Sequence, residues 1–202
     1  MKKVLITGMS GLIGGLLRRH LEDVGGYELS ALNRSKVDGV RSFQADIADL
    51  EAIKPAFVGQ DVVAHLAANL ETQSWEGQLN GNVIGVYNVY EAAREAGVER
   101  VVFASSGSTT RGFDRVHPYD AIAEGRYDQV PGNFDKITHD STWPNGIYGA
   151  AKVWGEALGR HYSDAYDMSV LCVRIGRVNE ENRPTSPGEF SRYLSHRDIA
   201  QF

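Results

Sequence analysis

Tyr148 and Lys152 stand four residues apart in Tyr148-Gly149-Ala150-Ala151-Lys152, a spacing that sets a phenol and an ammonium on one face of a helix. Free tyrosine, with a pKa of about 10, is only ~0.1% ionised at pH 7, so using it as a base near neutrality takes ~3 pKa units, or about 4 kcal/mol. A lysine cation a few ångströms away supplies energy of that order at an effective dielectric of about 20. Phe103-Ala104-Ser105-Ser106 closes an apolar run with a hydroxyl able to hold a reacting oxygen. Ser106, Tyr148 and Lys152 together suit proton transfer to and from a substrate hydroxyl. Taken alone, the tyrosine–lysine spacing also fits an exposed helix pair.

A second group of residues suits a phosphate. Val4-Leu5-Ile6 leads into Thr7-Gly8-Met9-Ser10-Gly11-Leu12-Ile13-Gly14. Glycines at 8, 11 and 14 between a strand and a helix allow a tight turn. They also let a pyrophosphate approach the helix N-terminus, where unpaired N–H groups and the dipole favour an anion. Further on, Leu32-Asn33-Arg34-Ser35 ends the next apolar run. An acidic residue there would bond a ribose, whereas neutral Asn33 with Arg34 and Ser35 accommodates a 2′-phosphate, which leans toward NADP over NAD. A solvated turn with a surface arginine is the alternative. Asp46-Ile47 is placed to meet an adenine ring, or Asp46 is a helix N-cap before Leu50.

These residues need a frame. Strands are expected at 3–7, 28–32, 40–43, 61–66, 100–104 and 169–174, several as continuous apolar runs, with helices over 12–24, about 82–96 and about 148–162. Such alternation implies a doubly wound parallel α/β sheet. Residues 107–146 lack periodicity and read as a lid or substrate loop. With 202 residues, 42% apolar content and a net charge of -5, the chain can bury a core, and it lacks the basic face that nucleic acid or an anionic membrane would need. Lone Cys172 in Val170-Leu171-Cys172-Val173 reads as a buried thiol in a reducing, cytoplasmic setting. No apolar run approaches a membrane span. His65 and His196 read as packing or capping residues, and no ligand spacing suggests a metal. Trp75, Trp143 and Trp154 read as core or loop anchors. Arg174 and Arg177 either grip an anion or pair with acids such as Glu180 and Glu181.

The ordered set Thr7-Gly8-x-x-Gly11-x-x-Gly14, Asp46-Ile47, His65-Leu66-Ala67-Ala68, Asn82, Phe103-Ala104-Ser105-Ser106, Tyr148-x-x-x-Lys152 and Arg174-Ile175-Gly176 resembles the extended short-chain dehydrogenase/reductase superfamily, also called the NAD-dependent epimerase/dehydratase family, along the whole chain. The resemblance implies a Rossmann fold. It assigns Gly8, Gly11 and Gly14 to the pyrophosphate and Asp46 and Ile47 to adenine, and Ser10, Leu12, Ile13, Asn33, Arg34 and Ser35 are counted with them as cofactor-binding. Leu66, Ala67, Ala68, Asn82 and Ile175 fall beside the rest of the cofactor. Tyr148 is the implied acid/base, Lys152 its modifier and ribose anchor, and Ser106 the substrate clamp. Asn69, Gly107, Ser108 and Arg177 complete the implied substrate side.

Within the family, Asn82–Ala93, the Phe-Ala-Ser-Ser strand, Val173–Gly176 and Leu194–Asp198 are similar to uronate dehydrogenases and archaeal-type glucose-6-phosphate dehydrogenases, which oxidise a hexopyranose at its anomeric carbon. Those enzymes carry Asn-His after Ser-Ser, where this chain has Gly107-Ser108, and a small polar residue where it has Arg177. The loop from Ser106 to Tyr148 is also longer than in uronate dehydrogenases. The expected organisation is a nucleotide-binding and catalytic domain over 1–176, with 177–202 starting an incomplete C-terminal substrate lobe. The expected activity is NAD(P)-dependent oxidation of a sugar hydroxyl. A nucleotide-sugar epimerase or dehydratase with retained NAD, and a non-catalytic NAD(P) sensor, are the alternatives. The helix over 82–96 is apolar on more than one side, Tyr90 included. With the Tyr148 helix it is expected to form a two-fold homodimer contact, as in the resembling family.

Overall fold

The computed structural model describes residues 1–201; Phe202, at the end of the expected substrate lobe, lies outside the described residues. Six strands form one parallel sheet: β1 (Lys2–Thr7), β2 (Tyr27–Asn33), β3 (Arg41–Gln44), β4 (Val62–His65), β5 (Arg100–Ser106) and β6 (Ser169–Ile175), in the order β3-β2-β1-β4-β5-β6. The chain works outward from β1 to β3 and then returns to β4. The connections leaving β1 and β4 therefore diverge and open a crevice at the carboxyl ends of the strands. All six expected strands are present, with ends shifted by a residue or two.

Alternate residues of β1 serve two cores. Leu5 joins Leu32, Phe57, Val63, Val89, Tyr90, Phe103 and Tyr162 under three helices: α2 (Leu50–Phe57), α4 (Gly85–Glu95) and α6 (Ile147–Tyr166). On the opposite face, Val4 and Ile6 join Met9, Ala31 and Ala64, covered by Leu17 and Leu21 of α1 (Leu12–Val24). A short α7 (His196–Gln201) buries Ile199 and Ala200 and packs against α1.

Three expectations are corrected. The second helix begins earlier than 82: Ser74 caps a short α3 (Trp75–Gln78) by accepting from Gly77 N at 3.0 Å, and a π-helical turn over Leu79–Ile84 carries the chain into α4. Gly77 and Gly81 weaken helix propensity there and hide the start. Tyr90 is wholly buried, stacked on Tyr162 with its ring near Phe103, and donates to the Gly155 carbonyl at 3.3 Å. It is a core residue, whereas Ile84 (37% exposed), Tyr87 (43%) and Trp154 of α6 (41%) remain outside. Cys172 is exposed, because β6 is an edge strand paired only with β5.

The aperiodic stretch after β5 folds into short turns around α5 (Tyr119–Ala123). An edge-to-face aromatic chain ties them together: Phe113 meets Trp143 at 5.2 Å and Tyr119 at 5.5 Å, and Tyr119 meets Phe134 at 6.0 Å. Trp143 anchors the far end through its backbone, donating to Thr109 O at 2.8 Å and accepting from Gly112 N at 2.6 Å. After β6 the chain doubles back beside Arg177, whose N–H donates to Arg192 O at 2.8 Å and whose carbonyl accepts from Leu194 N at 2.9 Å. No helix among the described residues is long and apolar enough to cross a membrane.

Candidate active site

Two clefts meet at the carboxyl edge of the sheet. The first, of about 900 Å³, runs along the glycine turn, past β2 and the turn after β3, to the ends of β4 and β5. The glycine turn is backbone work. Gly8 has φ +74°, and a side chain there would bring Cβ within 2.8 Å of Ala67 N; at Gly14 it would run into the Gly8 carbonyl. Gly11 N closes the turn on Gly8 O at 3.0 Å. No side chain caps α1 at Gly11, and no acidic residue sits in its first turn. A turn with no Cβ at positions 8, 11 and 14, closed by an uncapped helix N-terminus, fits the pyrophosphate of a dinucleotide.

Asn33 does different work from that expected. Its Oδ1 accepts from Met9 N at 3.1 Å and its Nδ2 donates to Ser10 Oγ at 2.8 Å, so its buried amide ties β2 to the glycine turn. Arg34 and Ser35 lie exposed at the rim of the cleft. Asp46 lines the cleft and accepts from Ala48 N at 2.9 Å. The cap of α2 is Asp49, which accepts from Ala52 N at 3.1 Å, so the N-cap alternative for Asp46 is set aside. Ile47 lines the cleft with its carbonyl held by Asn88 Nδ2 at 2.8 Å. Leu66, Ala67, Ala68 and Asn69 line the wall after β4. Asn82 stays behind that wall, 1% exposed. Its Oδ1 accepts from Asn69 N at 2.9 Å and its Nδ2 donates to Asn69 O at 2.7 Å. It positions Asn69 and does not line the cleft.

Ser106, Tyr148 and Lys152 converge where this cleft ends. Lys152 is 2% exposed, and its Nζ donates to Ala104 O at 2.7 Å. That ammonium lies 5.5 Å from the centroid of the Tyr148 ring and 4.8 Å from that of Phe103. Burial lowers the Lys152 pKa to about 8. Burial also raises the Tyr148 phenol above its usual value, while the Ser106 hydroxyl pulls it back down. His65, on β4, is fully buried; desolvation, then the Lys152 charge, push its imidazole down to about 3. Its Nδ1 lies 2.7 Å from Thr7 Oγ1, which also accepts from Ala67 N at 3.1 Å.

The second cleft, of about 750 Å³, shares Ser106, Ile175, Gly176 and Arg177 with the first. Gly107 and Ser108 line it, away from the glycine turn. Neither Arg174, on β6, nor Arg177, just after it, pairs with Glu180 or Glu181 among the described residues. Arg174 grips Glu156 of α6 with Nε at 2.9 Å and Nη2 at 2.7 Å, and Glu156 also accepts from Ser105. Arg177 pairs with Glu189, Nε to Oε1 at 3.1 Å. Sequence reasoning missed Arg111 and Arg192, which line the second cleft; no period or motif marks either.

The model of the NAD dependent epimerase/dehydratase family matches residues 4–195. The chain belongs to this family. A relative from Haloferax volcanii, L-arabinose 1-dehydrogenase (NAD(P)(+)), is 34% identical over 179 residues, covering 87% of this chain and 67% of the relative. Uronate dehydrogenase from Agrobacterium fabrum is 33% identical over 204 residues, covering 98% and 69%. Among solved structures, a uronate dehydrogenase variant from Agrobacterium tumefaciens complexed with NAD superposes with a TM-score of 0.72 at 32% identity, over 91% of this chain and 64% of that one. This family member thus spans less than two thirds of the solved uronate dehydrogenase chains, 58% to 64%.

Proposed function

We propose that the chain is an NAD(P)-dependent oxidoreductase that removes hydride from a sugar hydroxyl, C1 of a hexopyranose. The observation that carries this reading is the convergence of Ser106, Tyr148 and Lys152 where the two clefts meet. Relatives named L-arabinose 1-dehydrogenase, NAD-dependent glucose-6-phosphate dehydrogenase and uronate dehydrogenase support it. When bound, an oxidised nicotinamide supplies the hydride acceptor. Ser106 holds the substrate oxygen and Tyr148 takes its proton. The Lys152 charge, 5.5 Å from the phenol ring, is worth about 3 kcal/mol to the phenolate at an effective dielectric of about 20. That is the order needed to offset what burial costs the anion. In this reading residues 1–176 bind the nucleotide and move the proton, and the chain from 177 onward starts the sugar wall.

NADP is the proposed cofactor over NAD, because neutral Asn33 repels no phosphate and Arg34 and Ser35 stand at the rim. The reducing, cytoplasmic setting rests on a sequence with one cysteine and so no internal disulfide. The deciding experiment is a spectrophotometric screen of aldoses, uronic acids and sugar phosphates with each cofactor. Reduced cofactor should accumulate in amounts that track the sugar consumed. Sugar conversion without net reduced cofactor would mark a retained-NAD epimerase instead, and binding without conversion a sensor.

The homodimer belongs to the same reading. Ile84 of the π-helical turn, Tyr87 of α4 and Trp154 of α6 remain exposed, with Trp154 donating to the Val83 carbonyl beside them, the kind of apolar surface a two-fold contact covers. Light scattering at tens of micromolar should give twice the chain mass, and Tyr87→Glu should halve it. A monomeric mass for the unaltered protein removes the dimer.

A further inference from the structure

The second cleft holds more positive charge than its own acids neutralise. Arg111 is paired with Asp114, Nε to Oδ2 at 2.9 Å, and Arg177 with Glu189 at 3.1 Å. Glu189 is further occupied by Thr185, accepting from its N at 2.7 Å and its Oγ1 at 2.9 Å. Two cations lining the cleft remain: Lys136, exposed to solvent, and Arg192, partly buried. Arg192 makes no ion pair and no side-chain hydrogen bond among the described residues. Its backbone is nevertheless fixed, with N donating to Glu189 O at 3.0 Å and O accepting from Arg177 N at 2.8 Å. Position 176 must be glycine for this, since a Cβ there would strike the Arg192 carbonyl.

A half-buried guanidinium without a counter-ion is costly, and arginine cannot shed its proton to relieve the cost. Desolvation, then repulsion from Arg111, already lowers its pKa. An anion entering the cleft would remove that cost and fill the planar fork of donors. The same cleft offers the Tyr119 and Phe134 rings to the apolar face of a sugar, and it opens onto Ser106.

We propose that the second cleft receives the far end of a sugar bearing an anionic group, carboxylate or phosphate, with the Arg192 guanidinium as its receptor and the determinant of charged over neutral substrate. This rests on the oxidoreductase reading of the Ser106–Tyr148 site.

The test compares D-glucuronate, glucose-6-phosphate and D-glucose on the cofactor-saturated protein, by calorimetric Kd and by KM. The chain itself, Arg192→Gln and Arg192→Lys are each measured, with melting curves to confirm folding. A lost charge-assisted hydrogen bond should weaken the anionic sugar by about tenfold or more in Arg192→Gln. Glucose should change by less than about twofold, and Arg192→Lys should recover part of the loss. Which anion shows the effect separates carboxylate from phosphate. If Arg192→Gln does not fold, the loss of the paired fork in Arg192→Lys, measured on the same three probes, carries the test. Equal losses for charged and neutral sugars, or no loss for either anion, overturn the proposal. If the anions bind through Arg192 while no sugar reduces cofactor, the subsite stands and the oxidoreductase reading falls. If glucose is oxidised as readily as both anions and Arg192→Gln changes none of them, the outcome is the reverse.

Discussion

In the proposed reading, the nucleotide side and the sugar side of this protein are built from different materials. From β1 to β4, the cleft wall is mostly backbone: a turn held open by Gly8, Gly11 and Gly14, an uncapped helix end, and amides such as Asn33 and Asn82 spent on fixing the main chain. On the sugar side, the wall is side chains on irregular segments, with Arg111 and Arg177 set by ion pairs and Arg192 held, among the described residues, only through its backbone. A wall of backbone recognises what every dinucleotide shares. A wall of side chains can be rewritten without disturbing the sheet, and it carries what differs between substrates.

Tyr148→Phe probes the seam between the two halves and should have the largest effect. Turnover should fall by a factor of about 10² to 10⁴, the usual loss when a general base is removed. Cofactor titration should be unchanged, because the backbone wall is untouched. Turnover above about a tenth of the original would mean that the proton leaves by another route.

Arg34→Ala tests an exposed charged side chain at the rim of the proposed nucleotide side. NADP affinity should drop by about tenfold, the worth of one charge-assisted contact, with NAD nearly unaffected. Equal losses for both cofactors would extend the backbone account to the ribose end as well.

The smallest effect is expected from His65, buried on β4. Its folded pKa of about 3 lies below the ordinary 6.5. As pH falls from 6.5 toward 3 the unfolded chain therefore takes up a proton that the folded chain refuses, and stability is lost across that window. His65→Leu should flatten the fall of the melting temperature over those pH values, after an initial cost of about 1 kcal/mol for the bond to Thr7. A slope identical to that of the unaltered protein would assign acid unfolding to other groups.

The same division explains what could be read from the sequence. Strand runs such as Val4-Leu5-Ile6, the glycine spacing and the Tyr148–Lys152 interval are local patterns, and local sterics translate them directly into structure. Tyr90 was misplaced because helix periodicity does not say which of several apolar faces meets the sheet; two helices and β5 divide that surface between them. Cys172 sits in an apolar run that reads as central, but strand order makes it an edge. Arg192 is invisible in sequence because its importance arises from a lack of partners, and the fold brings Glu189 to Arg177 rather than to Arg192, while Asp114 pairs locally with Arg111.

The amide of Asn33 also bears on how nucleotide preference can change over generations. One base change in its codon gives aspartate, which would bring a carboxylate to the ribose end. That carboxylate can keep the bond from Met9 N but cannot donate to Ser10 Oγ, whose hydroxyl must then turn and donate in its place. On the proposed NADP reading, the mutational route toward NAD therefore starts with a rotated hydroxyl, and the glycine turn need not be rebuilt.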